Sequence, residues 1–338
     1  MSELASGTRV AARLRALEPE VGPAFEGADY VDVVSVEGGV SLRTFIAGML
    51  SYYPWWLGVL FALRWAFVRL LGLSQTGLLR PSPTTPVSVP FEPGGRLGLF
   101  SVVRAEPDRY WIGRISEPHL TATIAVVADT DSARRRFHVA TAVDYADWRG
   151  RCYFAIVRPF HALVVRRMAN AGTLPERRIG SAVVNVHERL FDAESEQLWA
   201  LVDSLGTAED QLWPGDRWPE IRFDGPLQPG TRGSHGAIRY VVEESVPGER
   251  VQFRFVAPDG YVGSHRFELQ SAASGGTWLR HVVEVRLHGR ARLSWPLTVR
   301  WLHDAVLEDA LDNASVAMDA VPQSRQWSRR VRLLRRLS

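Results

Sequence analysis

Val157-Arg-Pro-Phe-His-Ala-Leu-Val-Val-Arg-Arg-Met-Ala169 and Val299-Arg-Trp-Leu-His-Asp-Ala-Val-Leu-Glu-Asp-Ala-Leu311 are two versions of one pattern. The shared form is Val-Arg-x-(Phe/Leu)-His-x-(Leu/Ala)-Val-(Val/Leu), and each copy opens a long amphipathic stretch preceded by strand-like sequence. A period of roughly 140 residues is too long for a solenoid. It suits a duplicated globular domain. In a chain of 338 residues with 46% apolar and 23% charged side chains, two cores of ordinary composition are expected.

All 40 basic residues that are lysine or arginine are arginine. No lysine is present to form a Schiff base or clamp a phosphate. A net charge of +3, with acidic residues spread through both halves, argues against nucleic acid as a partner. The single cysteine, Cys152, excludes an intramolecular disulfide and a cysteine zinc site. The first residues lack the basic-then-apolar pattern of a signal peptide, so a reduced, cytoplasmic setting is expected.

Both halves show the same order of patterns. In the first, Tyr30 to Val36 reads as a strand and Ser41 as the cap of a helix. The run from Phe45 to Leu73 is the most apolar in the chain, but Pro54 breaks it and Arg64 and Arg69 interrupt it. Two helices are expected there rather than one membrane span. After the connector Arg80-Pro-Ser-Pro-Thr-Thr-Pro86 come strands at 96–104, 110–115, 119–128 and 135–145, with a turn at Asp129-Thr-Asp-Ser132. A helix over 151–170 closes the half. In the second half the series is a strand at 181–190, a helix at 193–205, strands at 233–243, 250–256, 263–269 and 277–287, and a helix over 296–321. The class is α+β in each half.

These cues resemble the START-like superfamily, also called SRPBCC or helix-grip. The second half resembles its polyketide cyclase/dehydrase-like branch, on Ala182-Val-Val-Asn-Val-His-Glu-Arg-Leu-Phe191, Leu227-Gln-Pro-Gly-Thr-Arg-Gly-Ser234, Pro247-Gly-Glu-Arg-Val-Gln-Phe253 and Gly276-Thr-Trp-Leu-Arg-His281. The first half resembles a bacterial domain of unknown function of the same superfamily, on Tyr110-Trp111, Arg136-Phe-His-Val-Ala-Thr141 and Val157-Arg-Pro-Phe-His161. The resemblance implies two curved antiparallel sheets, each wrapped on a long carboxy-terminal helix around an apolar cavity. The division that follows is an extension at 1–27, domains at 28–172 and 179–322 joined by a linker at 173–178, and a tail at 323–338.

On a helical wheel His161 is flanked by Phe154, Val157, Val164, Val165 and Met168, and His303 by Val299, Val306, Leu307, Ala310 and Leu311. Each histidine therefore centres an apolar face. Phe160 and Leu302, one residue earlier, are expected to pack within their helices' interfaces. On the strands, His265 shares a face with Phe267 and Leu269, and His281 with Leu279, Val283 and Val285. The expected ligand-contacting set is Phe137, Phe154, His161, His265, Phe267, His281, His303 and Val306. His265, His281 and His303 are the candidates for acid/base work. A hydrogen-bonded core role for each histidine remains the alternative, because an unpartnered buried imidazole is costly. No His-x-His or His-x-x-x-His spacing appears, and no nucleotide or nucleophile motif either, so neither metal nor cofactor is expected.

The tail reads as a basic amphipathic helix. Arg325, Arg329, Arg332 and Arg336 lie on one side, with Trp327, Val331 and Leu334 opposite, a pattern of contact with the inner membrane face. Three functions stay open at this level: binding or transfer of a hydrophobic lipid-like or polyketide-like molecule, cyclase/dehydratase chemistry by the histidines, and a peripheral membrane or scaffold role.

Overall fold

The computed structural model describes residues 2–70, 83–129, 135–273, 275–323 and 326–337. The connector residues 80–82, most of the turn at 129–132, and Arg325 lie outside this set. The chain divides into two compact units, Met1–Ile179 and Gly180–Ser338.

Unit one contains α1 (Ser2–Leu17), β1 (Tyr30–Glu37), α2 (Leu42–Leu50) and α3 (Trp55–Leu70). These are followed by β2 (Arg96–Leu97), β3 (Phe100–Glu106), β4 (Tyr110–Glu117), β5 (Leu120–Asp129), β6 (Arg136–Tyr145), α4 (Trp148–Gly172) and β7 (Glu176–Ile179). The antiparallel sheet has the order β1-β6-β5-β4-β3-β2. Ser41 caps α2 by accepting from the Thr44 N–H at 3.2 Å, and Asp147 caps α4 through the Gly150 N–H at 3.0 Å. One sheet face packs on α2 and α4, with Phe45 stacked on Phe137 at 4.1 Å. The two helices meet at Gly48 and Gly172, where a β-carbon on Gly172 would lie 2.8 Å from the Phe45 carbonyl oxygen.

The opposite sheet face is covered as well. Leu14, Val21 and Phe25 are buried against Tyr110, Ile112, Ala125, Val127 and Ala140. Residues 1–27, expected to be an extension, thus contribute a core layer to unit one. Burial on both faces explains why β5 and β6 have so few exposed positions. The stretch 173–178, expected to be a linker, holds most of β7, and buried Arg177 donates to the Thr44 carbonyl at 2.6 Å. Phe160 is half exposed, against the expectation that it packs. Pro159 lies within α4. No single described helix is long and apolar enough to cross a membrane, and α2 and the first part of α3 bend by 62° at their break.

Unit two repeats the order. It contains β8 (Ala182–Phe191), α5 (Ser195–Asp203), β9 (Ile221–Phe223), β10 (Arg232–His235) and β11 (Ile238–Val246). Then come β12 (Arg250–Ala257), β13 (Tyr261–Ser271), β14 (Thr277–Leu287), α6 (Ala291–Ser294), a π-helical turn at Trp295–Val299, α7 (Arg300–Ala317) and α8 (Arg329–Leu337). Its strands run β8-β14-β13-β12-β11-β10-β9. In both units the first strand pairs with the last, and a meander and a long helix complete the set. Both units are helix-grip folds. The core of unit two joins Leu198, Val202, Val251, Phe253, Phe267 and Leu279 to Leu307, Ala310 and Leu311 of α7, with Leu302 partly buried against them.

Because unit two carries a complete element set and its own core, residues 180–338 expressed alone should melt in one cooperative transition. A broad, non-cooperative melt by circular dichroism would show that the unit depends on the rest of the chain.

Candidate functional site

The side of the unit two sheet that meets α7 is unusually polar at one end. Register explains it. His281 of β14 lies opposite His187 of β8 and opposite Phe267 of β13, while His265 pairs with Val283. Partners across an antiparallel ladder share a face, so His187, His265 and His281 all point toward α7, together with Asn185 and Arg189. His265 Nδ1 and His281 Nε2 are 3.2 Å apart. His303 of α7 completes the group, its ring centroid 5.3 Å from His281 and 5.8 Å from His187. Aromatic rings enclose the inner end: Phe253 stacks on His265 at 4.9 Å, and Tyr240 meets it edge-on at 5.0 Å. Phe267, buried, borders the same group at 4.7 Å from His281, and Val306 is buried in the apolar core of the unit.

On the β8 side the histidines meet carboxylates. His187 Nδ1 lies 2.8 Å from Glu308 Oε1, and His187 Nε2 lies 3.1 Å from Asp304 Oδ1. Carboxylates only accept, so both ring nitrogens donate and the ring is an imidazolium. Burial opposes that charge, but Asp304 and Glu308 outweigh it and push His187 up to about 9. Asp304 is itself held well below the usual carboxylate range, burial being overcome by His187 and His303. Asn185 Nδ2 donates to Asp304 at 2.9 Å. Arg189 reaches Asp312 at 2.6 Å and Ser315 at 2.8 Å.

The other imidazoles have no such counter-charge. Burial depresses His265 and His281 well below the ordinary histidine value, and depresses His303 despite its neighbour Asp304. His235, whose Nδ1 lies 3.3 Å from the Tyr240 hydroxyl, falls to about 4 for the same reason. The unit thus holds one charged imidazole and several neutral ones within a few ångströms. His265 Nε2, His281 Nδ1 and both ring nitrogens of His303 are buried with no hydrogen-bond partner among the described residues.

His187, Asp304 and Glu308 are not among the candidates that the sequence suggests. Their signal was present: Asn185, His187 and Arg189 alternate on one strand face, and Asp304, Glu308 and Asp312 recur every fourth residue on one helix stripe. A polar strand face matched by an acidic helix stripe is readable only once the two elements are known to pack.

In unit one the expected residues sit differently. His161 Nε2 lies 3.6 Å from Asp32 Oδ2, and its ring packs near Tyr30 and buried Phe154. Burial, then Asp32, pushes Tyr30 up to about 12. Phe137 is engaged by Phe45. Two depressions of about 280 and 200 Å³ lie elsewhere: one is bordered by Arg222, Arg232 and Arg239, the other by Tyr52, Tyr53 and Arg178. Neither touches the histidines.

The tail also departs from expectation. Helix α8 starts at Arg329, and Trp327 and Val331 are turned into unit two. Trp327 Nε1 and Trp218 Nε1 both donate to Asp309 Oδ2, at 3.1 and 2.7 Å, and Arg217 stacks over Trp327 at 4.5 Å. Val331 is buried. The side read as membrane-facing is therefore occupied at both residues, while Arg329, Arg332 and Arg336 are exposed. Larger exposed apolar groups occur on α3, at Trp55, Val59, Leu63 and Trp65.

Residues 24–168 match the family described as "Protein of unknown function (DUF2867)". No curated protein matches the chain. Among solved structures, the di-domain ARO/CYC BexL from the BE-7585A biosynthetic pathway is similar at 15% identity and a TM-score of 0.30, over 64% of this chain and 76% of that one. CalU16 from Micromonospora echinospora is similar at 15% identity and a TM-score of 0.31, over 48% of this chain and 90% of its own. A Thalictrum norcoclaurine synthase point mutant, in complex with a transition-state analogue, is similar at 12% identity and a TM-score of 0.33, over 42% and 98%.

Proposed function

We propose that unit two binds a small, largely apolar molecule with a polar group, lodged between the sheet and α7, with His265, His281 and His303 holding the polar end. The observation that carries this is the set of four buried ring nitrogens without partners. A buried polar atom left unsatisfied costs about 1–3 kcal/mol, and such groups in a folded interior call for a missing partner. The surrounding rings of Tyr240, Phe253, Phe255 and Phe267 supply apolar walls. A lipid-like or polyketide-like guest fits this division into apolar wall and polar end.

A second reading is acid/base chemistry on the same guest, of the cyclase or dehydratase kind. The His265–His281 contact favours it, because one neutral imidazole donating to another can pass a proton along the pair.

Incubating the purified chain with lipid and polyketide extracts, followed by native mass spectrometry, tests the proposal. One retained species of low mass is expected. His303→Phe should weaken its retention about tenfold, the loss of one hydrogen bond worth about 1.4 kcal/mol. No retained species, or equal retention by His303→Phe, would sink this reading. Chemical change in the retained molecule would favour the second.

A further inference from the structure

We propose that His187, His303 and Asp304 form a site for one first-row divalent metal ion, with zinc as the first candidate. Each offers a donor atom within 4.8 Å of the other two. Two ligands at zinc's usual bond lengths of about 2.1 Å are separated by roughly 3.4 Å in a tetrahedral shell. His187 Nε2 and Asp304 Oδ1 are already 3.1 Å apart. His303 brings buried ring nitrogens that have no hydrogen-bond partner among the described residues.

The surroundings have the form of support for ligands. Metal-bound histidines commonly donate their other N–H to a carboxylate, which fixes the ring and raises its basicity. Glu308 accepts from His187 Nδ1 at 2.8 Å, on the side away from Asp304. Asn185 Nδ2 holds Asp304 Oδ1 at 2.9 Å. Asp304 and Glu308 bring two negative charges toward the ion, each shared with a guanidinium, Arg300 at 3.5 Å and Arg189 at 3.6 Å. Three protein ligands of nitrogen and oxygen type leave at least one position open, as in metal sites that act on a bound molecule. His281, whose Nδ1 also lacks a partner among the described residues, has its ring centroid 5.3 Å from that of His303.

Along the chain the site could not be seen. His187 and Asp304 are 117 positions apart and belong to no spacing motif. The absence of such a motif led to the expectation of no metal, and the packing of α7 on β8 supplies what spacing lacked. Binding exchanges the proton on His187 Nε2 for the ion, so one proton leaves as one metal enters. The site shares His303 with the guest-binding proposal but needs no guest to hold an ion.

The test uses the full chain stripped with a chelator and then titrated with Zn²⁺ against a competing chromophoric chelator. One ion per chain is expected, with about one proton released, read by calorimetry in buffers of different ionisation enthalpy. Asp304→Asn and His187→Ala should weaken binding at least 100-fold, and Glu308→Gln about 10- to 100-fold, the range for loss of a ligand's supporting carboxylate. His288→Ala, at an exposed histidine outside the cluster, should change nothing. Circular dichroism identifies any variant that fails to fold. Asp304→Asn and Glu308→Gln, nearly isosteric, keep the test open if His187→Ala is lost. No ion bound by the folded chain, or equal affinity in wild type, Asp304→Asn and Glu308→Gln, overturns the site. Because no organic guest is present, that failure is separate from failure of the guest-binding proposal.

Discussion

Replacing Arg280 with leucine should lower the unfolding free energy of unit two by about 3–5 kcal/mol, the range for removing one partner of a buried ion pair. Arg280 is 2% exposed. Its Nε donates to Glu188 Oε2 at 2.6 Å, and its Nη1 to Glu268 Oε1 at 2.8 Å and Gln270 Oε1 at 3.2 Å. The Glu188 side chain is fully buried. Leucine fills part of the space but removes the guanidinium from a buried carboxylate, and the loss of a buried ion pair's cation dominates the cost. Glu268 suffers less, because Arg266 Nε still donates to it at 2.7 Å. The double variant Arg280→Leu, Glu188→Leu should therefore recover a substantial part of the loss. Urea unfolding of wild type, Arg280→Leu, Glu188→Leu and the double variant measures this. A single-variant loss below about 1 kcal/mol, or a double variant as unstable as the sum of its parts, would mean that the pair is solvated in solution.

Arg280 also marks the boundary of what the chain states locally. Strand β14 alternates apolar and polar residues, so its existence follows from period two. Which polar residues are buried does not follow, because alternation shows two faces and not what covers them. The same limit applies to α1. Leu14, Val21 and Phe25 are too sparse among arginines to advertise a core layer, yet they cover a second sheet face. The histidine cluster was half readable: His265, His281 and His303 sit on apolar faces whose period is plain. His187 and Asp304 required knowing that β8 and α7 meet. Trp327 illustrates the same limit. A helical wheel identifies an apolar side but not whether lipid, solvent or Asp309 awaits it.

Acidification from pH 7 to 5 should destabilise unit two sharply, and His265 should account for a large share. The ring lies between Phe253 and Tyr240, with Phe255 at 4.9 Å. The ionisable groups that face it are Tyr240, His281, His303 and, more distantly, His235, with no carboxylate in contact. Burial is the first cause of its depressed value, and the neighbouring histidines add to it. For a base with a lowered folded value, the unfolded chain takes the proton first. Stability is then complete above about 6.5 and lost as pH falls below it, by about 1.4 kcal/mol per pH unit for each histidine. His235, at about 4, stays neutral through the same window. His281 and His303, lowered by burial as well, add to the same loss, so the Tm should fall steadily across the window. His187, at about 9, is protonated in both states below 6.5 and adds no slope there. Replacing His265 with phenylalanine removes one of these titrations and should reduce the dependence without abolishing it. Thermal melts at half-unit steps decide the matter. A Tm level across the window, or an equal slope in His265→Phe, would show that these imidazoles reach water or take up a proton without leaving the fold.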